Sequence, residues 1–352
     1  MRIPMIKDFI VGRYRGLQNL TLKDLNQINI FVGPNNCGKT SILEAIILSG
    51  LFDDVDLLVD ALISRYHGFS PEYFESLFSI GDQPVICLKS RMDDSNNMLH
   101  THLTYSKEQL IGKDEAASRL SSFELRFLYR YDGKNEEKRD RFLVRFEEEN
   151  DSFKIGVGKS PNNILDLHIP CKFISFSRFD RSSRLMVDID RILDMNLRHE
   201  LIGILKIFDE QINNFEIIGK DRTIKLFKNN QDTPLTLNDY GNGMYKAFFI
   251  ATSALLAKNG ILLVDEIEAG IHSKALKNFI GKLINVCTSN NVQIFLTTHS
   301  LETIDIILDD CPDRLNDISI YHIRNQENQT LAKHYNGERL LTLRNEIGFD
   351  VR

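Results

Sequence analysis

The sequence predicts an α/β fold: a mostly parallel core sheet, an antiparallel β lobe and a helical lobe. Three observations predict it. Gly33-Pro34-Asn35-Asn36-Cys37-Gly38-Lys39-Thr40 fits the phosphate-loop pattern G-x-x-x-x-G-K-[ST] at every fixed position. Gly260-Ile261-Leu262-Leu263-Val264-Asp265-Glu266 is an apolar run ending in two carboxylates, as expected of a strand buried on both faces of a parallel sheet. Val292-Gln293-Ile294-Phe295-Leu296-Thr297-Thr298-His299-Ser300 is a second such run, closed by small polar residues and a histidine.

Taken in chain order, Ile6 to Val11 reads as a strand, and Arg13, Tyr14 and Arg15 as the turn after it. Those three either stack on a nucleobase or form a solvated basic turn. Ile28-Asn29-Ile30-Phe31-Val32 is a short apolar strand leading into the loop. Ser41-Ile42-Leu43-Glu44-Ala45-Ile46-Ile47-Leu48 follows it as a helix. In this setting Asn35, Asn36, Cys37, Gly38, Lys39, Thr40 and Ser41 wrap phosphate oxygens with backbone N–H groups and a helix start. Lys39 reaches the β- and γ-phosphates, and Thr40 offers its hydroxyl to Mg²⁺.

Residues 53 to 80 have helix-like spacing at Val55, Leu58, Val59, Leu62 and Ile63, with a second segment around Tyr73 to Phe78. From 85 to 157 the pattern is of antiparallel strands: Val85 to Lys89, Leu99 to Tyr105, Phe123 to Tyr131, Phe142 to Glu147 and Ser152 to Val157. Turn-rich stretches such as Asp132-Gly133-Lys134-Asn135 divide them. Pro161, Asn162 and Asn163 mark a surface loop, and Cys171 to Phe176 a core strand. An apolar stripe from Ile189 to Phe208 predicts a helical lobe over 188 to 213. Strand ends in open α/β sheets are where ligands bind. Asp265 is therefore assigned to Mg²⁺, and Glu266 to accepting a proton from the water that attacks the γ-phosphate. His299 is assigned to sensing that phosphate or orienting the water. His272, in the turn after Glu266, is a secondary candidate.

Net charge is −6, which argues against a whole-surface nucleic-acid binder. Local basic clusters exist at Arg178, Arg181 and Arg184, and at Lys220, Arg222, Lys225 and Lys228. Their main reading is a solvated strand face, with nucleic-acid contact the minor one. No apolar run reaches eighteen residues, so no membrane contact is expected. Lys7 and Asp8 interrupt any signal-peptide pattern. Five cysteines without metal-ligand spacing point to a reducing, cytoplasmic setting. Cys37 is read as a small filler in the loop. A helix start could also lower its pKa and make it redox-active.

Gly33 to Thr40, Ile261 to Glu266 and Thr297-Thr298-His299-Ser300 resemble the Walker A, Walker B and H-loop of ABC-type ATPases. Within these the chain is similar to the branch of structural-maintenance, RecF and Rad50 proteins, and most to bacterial AAA15/AAA21-type ATPases, which include the ATPase halves of OLD-family nucleases. The opening from Ile3 to Asn36 and the ending from Leu343 to Arg352 carry the same resemblance. It implies a P-loop NTPase of ABC/SMC-head type occupying 1–352 as a single domain. The N-terminal strands and Walker A fall in 1–50, a β-rich region in 85–180, and a signature, Walker B and H-loop in 235–352.

The resemblance also implies a signature turn that completes a partner subunit's site, with ATP and Mg²⁺ sandwiched in a homodimer. The candidate is Leu237 to Lys246, with Gly241, Asn242 and Gly243 at a helix start. Asn242 stands where the commoner signature has serine, which puts the hydrolysis rate in question. A Q-loop glutamine is not assignable: the first after the Walker A helix is Gln83, in a turn. Asp305, Asp309, Asp310 and Asp313 read as helix and turn charges rather than as the metal cluster of a TOPRIM nuclease. The resulting expectation is an ATPase that controls a separately encoded nuclease or toxin in antiphage defence. The alternatives are a RecF-like DNA repair ATPase and a non-hydrolysing structural module.

Overall fold

The computed structural model describes residues 4–49, 51, 57–58, 61–62, 71–78, 85–108, 120–132, 137–149, 152–159, 169–175, 182–229, 231, 233–327 and 329–352. Val55, Val59, Ile63, Gln83, the loop at 161–163, Arg178 and Arg181 lie outside them.

The chain opens with β1 (Ile6–Tyr14) and β2 (Leu17–Leu22), then β3 (Ile28–Val32), α1 (Lys39–Ile47) and α2 (Pro71–Ser76). Five strands follow: β4 (Val85–Met92), β5 (Leu99–Glu108), β6 (Leu120–Tyr131), β7 (Glu137–Glu149) and β8 (Ser152–Lys159). Next come β9 (Cys171–Ile174), α3 (Ser182–Asp194), α4 (Arg198–Leu205), β10 (Ile212–Ile218), β11 (Thr223–Lys228) and β12 (Leu235–Thr236). The last third holds α5 (Asn242–Leu256), β13 (Ile261–Val264), α6 (Ser273–Ser289), β14 (Gln293–Thr297), α7 (Leu301–Asp310), β15 (Ile318–Gln326), β16 (Gln329–Asn336) and α8 (Gly337–Ile347).

Three sheets result. The central one has the order β16-β15-β3-β14-β13-β9, and β9, β13, β14, β3 and β15 pair in parallel, with β16 antiparallel on the edge. The seven-stranded sheet, β2-β1-β4-β5-β6-β7-β8, is antiparallel throughout, as is the small sheet β10-β11-β12. Over the whole molecule the sheets are thus largely antiparallel and mixed, which narrows the mostly parallel expectation. The physical reason is connection length. Strands joined by short turns must return antiparallel, whereas parallel neighbours need a long crossover. The N-terminal strands β1 and β2 therefore join the lobe sheet, and only β3 enters the central one.

Side chains of the central strands alternate between two cores. Ile30, Val32, Leu262, Val264, Ile294 and Leu296 face the helical side, where they meet Leu185, Phe248, Phe279 and Ile304. Phe31, Leu263 and Phe295 face α1 and the seven-stranded sheet, among Ile42, Ile46, Leu88 and Leu103. With both faces covered, these strands are apolar at successive positions rather than alternately. Gln293, 1% exposed, joins the two sheets. Its Oε1 accepts the Ile6 N–H at 2.9 Å, and its Nε2 donates to the Ile6 and Asn26 carbonyls at 2.8 and 2.9 Å.

The helical segment expected over 188 to 213 is broken. α3 ends before Asn196, which takes a left-handed φ of 57°, and α4 begins two residues later. The Leu197 N–H returns to the Ile192 carbonyl at 3.0 Å and closes the turn. The end of the predicted segment, from Ile212, is strand β10 instead.

Candidate functional site

The loop between β3 and α1 is shaped by close approaches. Gly33 has φ 144°, and a Cβ there would lie 2.3 Å from the Ile323 carbonyl on β15, so only glycine fits. Gly38, φ 100°, is the residue before α1, and the Ile42 N–H closes the first helical turn on its carbonyl at 2.9 Å. Lys39 is 6% exposed. Its Nζ donates to the Gly33 and Pro34 carbonyls, both at 2.9 Å, and lies 3.3 Å from His299 Nδ1. Burial pulls the Lys39 amine below the usual lysine range, while Cys37, Asp265 and Glu266 oppose that pull.

The ends of β13 and β14 meet this loop. Thr40 Oγ1 lies 3.0 Å from both Asp265 oxygens. Thr297 Oγ1 donates to Asp265 Oδ1 at 2.6 Å and accepts the Glu266 N–H at 2.8 Å, so one hydroxyl holds the Asp265 carboxylate and the Glu266 backbone. Glu266 takes a left-handed φ of 50° and keeps its side chain 55% exposed, within 3.7 Å of His299 Nε2. An ammonium can only donate, so His299 Nδ1 accepts from Lys39 and the neutral ring carries its proton on Nε2, toward Glu266. The His299 N–H is held by Glu268 Oε1 at 2.8 Å.

Asn35, Asn36, Gly38, Lys39, Thr40, Asp265, Glu266, Thr297 and His299 thus line one cleft of about 300 Å³. Cys37 and Ser41, each 3% exposed, are buried beside it. Burial pushes the Cys37 thiol up, against the pull of Lys39, which speaks against the redox alternative and agrees with the filler reading. Two oxygen donors, Thr40 Oγ1 and the Asp265 carboxylate, converge at the strand end. Two protein oxygens suit Mg²⁺, which keeps water and phosphate for its other positions. Among the described residues no group of three or more His, Cys, Asp or Glu side chains forms a metal cluster.

The signature residues lie elsewhere. Thr236 and Asp239 form a reciprocal capping box that shapes the turn, and Gly241, φ 86°, precedes α5. Gly241 and Asn242 are exposed and line a separate groove of about 700 Å³ with Asn238 and Tyr245. Gly243 is constrained from within: a Cβ there would sit 2.6 Å from the Gly270 carbonyl.

Other candidates have structural partners. Arg15 Nε pairs with Glu44 Oε2 at 2.9 Å, and Glu44 is fully buried on α1. Burial works against the Arg15 charge, but Tyr14 and Glu44 outweigh it and hold the guanidinium above its usual range. Tyr14 and Arg15 therefore brace the Walker A helix rather than forming a solvated turn. His272 caps α6, its Nδ1 accepting the Lys274 N–H at 3.4 Å. On the basic strand, Lys228 pairs with Asp209 and Arg222 with Asp190, both at 2.6 Å. Asp305 is bound by Arg344, and Asp310 faces Lys277.

Sequence reasoning missed three residues: Thr297, Glu268 and Lys246. Lys246, on α5, is 2% exposed, and its Nζ donates to the Glu266 carbonyl. A signal for it exists in the sequence, a lysine set between Met244-Tyr245 and the mostly apolar run Ala247 to Leu256.

The sequence family described as "AAA domain, putative AbiEii toxin, Type IV TA system" matches residues 28–305. A Helicobacter pylori protein named ATP/GTP phosphatase is 23% identical over 96% of this chain and 97% of its own. Protein MJECL11 of Methanocaldococcus jannaschii is 33% identical over 112 residues, 32% of this chain and 98% of its own. The crystal structure of an Smc head bound to the C-winged helix domain of ScpA is similar with a TM-score of 0.51 at 14% identity, covering 96% of this chain and 100% of that one. The last likeness shows the fold, a P-loop NTPase head.

Proposed function

This chain belongs to the family described as "AAA domain, putative AbiEii toxin, Type IV TA system", and from that premise we propose a Mg-dependent ATPase whose two copies close on ATP. On this reading the ATPase controls a separately encoded effector, a nuclease or toxin, in antiphage defence. The observation that carries the catalytic part is the convergence of Lys39, Thr40, Asp265, Glu266 and His299 on one cleft. The family's toxin–antitoxin description supports the effector part. The name of the Helicobacter pylori relative supports nucleotide hydrolysis.

The geometry supports the following roles. Asn35, Asn36 and Gly38 present loop N–H groups to the phosphates, and Lys39 exchanges its two loop carbonyls for β- and γ-phosphate oxygens. Thr40 and Asp265 would hold Mg²⁺. Bound there, the ion supplies charge neutralisation at the β- and γ-phosphates. Glu266, half exposed, takes the proton of a water whose oxygen attacks the γ-phosphorus. The bond to the β–γ bridging oxygen breaks, and ADP leaves with the electron pair. His299 donates from Nε2 to the γ-phosphate or to Glu266, keeping the two in register. The N–H groups of Asn242 and Gly243, at the start of α5, meet the γ-phosphate held by a second chain. No helix among the described residues is long and apolar enough to cross a membrane, and the proposed assembly needs none.

The test is sedimentation of Glu266→Gln with and without Mg-ATP, alongside its turnover. Loss of the base should slow hydrolysis by roughly 10²-fold or more. Trapped ATP should double the molar mass, because binding energy becomes association energy by linkage. A mass indifferent to ATP would overturn the sandwich, and wild-type turnover in this variant would overturn the base.

A further inference from the structure

Two lysines are buried among the described residues, Lys39 and Lys246. The phosphate chemistry accounts for the first. The second sits one turn into α5, three residues after Gly243, and its Nζ reaches across to the backbone carbonyl of Glu266. Three features make that contact more than a filled hydrogen bond. Glu266 is a non-glycine residue at φ 50°, a conformation that persists only where its surroundings enforce it. Glu268, two residues on, accepts the His299 N–H with Oε1, while its Oε2 is buried without a hydrogen-bond partner. Glu268 also acts on the Lys246 amine electrostatically and favours its charged form against burial. Finally, Gly243 lies against the Gly270 carbonyl, so the start of α5 touches the loop after β13 at two points, Gly243 and Lys246.

We propose that Lys246 is a positioning residue: it ties the signature helix to the Glu266 backbone and, through Glu268, to His299, so that displacement of the signature turn re-aims the base. This rests on the ATPase reading above. The turn at Gly241–Gly243 is where a second chain's nucleotide would press. Lys246 is the rigid link from that turn to the group that takes the proton. Hydrolysis is thereby gated by engagement of the two chains, without any change in the phosphate loop that binds ATP.

The test is a double-mutant cycle with Mg-ATP on the full chain. Lys246→Met keeps an unbranched side chain and removes the charge and the donor. Expected results are a kcat lowered 10- to 100-fold, KM and ATP affinity within about threefold of wild type, and an intact ATP-dependent dimer. In a Glu266→Gln background the same substitution should cost almost nothing more, because Lys246 acts through that residue. Lys246→Arg should recover part of kcat. Additive losses in the cycle, an unchanged kcat, or loss of ATP binding together with kcat would overturn the proposal. Where Lys246→Met does not fold, Lys246→Arg and Lys246→Gln carry the same cycle, and additivity is again decisive against it. A wild-type protein that does not hydrolyse ATP would overturn the ATPase reading instead.

Discussion

The phosphate cleft and the signature turn both use glycine at a helix start, yet their surroundings are opposite. At the cleft, Lys39 is buried and its amine lies within 3.8 Å of Gly33, Pro34, Cys37 and His299. At the turn, Gly241 and Asn242 are exposed, and Gly243 is held close against Gly270 of its own chain. One site is organised from within. The other is presented outward, on a groove that shares no lining residue with the first. In the proposed dimer, the inward site would bind ATP and the outward turn would meet the ATP of a second chain.

Substitutions can break that comparison, and the largest effect is expected at the inward site. Lys39→Ala removes two charge-assisted phosphate contacts and should weaken ATP binding roughly 10²- to 10⁴-fold, from hydrogen bonds to charged groups worth about 1.5–3 kcal/mol each. Equilibrium binding of a fluorescent ATP analogue measures it, and near-wild-type affinity would remove Lys39 from the site. A smaller, different effect is expected at the outward site. Asn242→Asp is isosteric, exposed and sets an anion against the partner's phosphate. ATP affinity of the single chain should stay unchanged while ATP-driven dimerisation weakens about tenfold, read by light scattering against protein concentration. Equal loss at both steps would mean the two sites are not divided as described. This variant is cleaner than Gly243→Asp, whose side chain would collide with the Gly270 carbonyl whether or not a dimer forms.

The smallest effect concerns stability and pH. Burial lowers the Lys246 pKa from the usual lysine range to about 8, with Glu268, Glu266 and Asp265 opposing. Between about pH 8 and the unfolded lysine value the unfolded chain binds more protons than the folded one. Stability contributed by this group therefore rises with pH across that window. Wild type should gain about 1–2 kcal/mol relative to Lys246→Met between pH 7.5 and 9.5, at about 1.4 kcal/mol per pKa unit. Urea midpoints of the two proteins at both pH values check it, and parallel shifts would show that Lys246 does not titrate there.

What was legible in the sequence follows from what the chemistry constrains. A phosphate loop demands residue types at fixed spacing, so Gly33 to Thr40 stand out in the sequence, as do Asp265 and Glu266 at the end of an apolar run, and the structure brings Asn35, Asn36, Gly38, Lys39, Thr40, Asp265 and Glu266 to one cleft. The roles of Thr297, Glu268 and Lys246 were harder to read because each acts between segments: β14 on β13, the 266–271 loop on His299, and α5 on that loop; for Lys246 the sequence offers only its place beside an apolar run. Periodicity also misled at 188 to 213. Leu193, Leu197 and Leu201 continue one apolar stripe through Asn196, where the backbone turns left-handed and the helix ends. Arg15 shows a third limit. A basic residue near a strand end looks solvated until its partner is known, and that partner, Glu44, lies on the next helix.

The amide of Gln293 has a mechanical consequence. By bonding both polar groups of Ile6, it presents β1 with what a neighbouring peptide unit would, from a residue on the central sheet. The first strand of the seven-stranded lobe is therefore clamped at its outset to the sheet that carries the strand ends at Asp265 and Thr297. Any swing of that lobe drags β14 with it, and a hinge between them would have to open these bonds first.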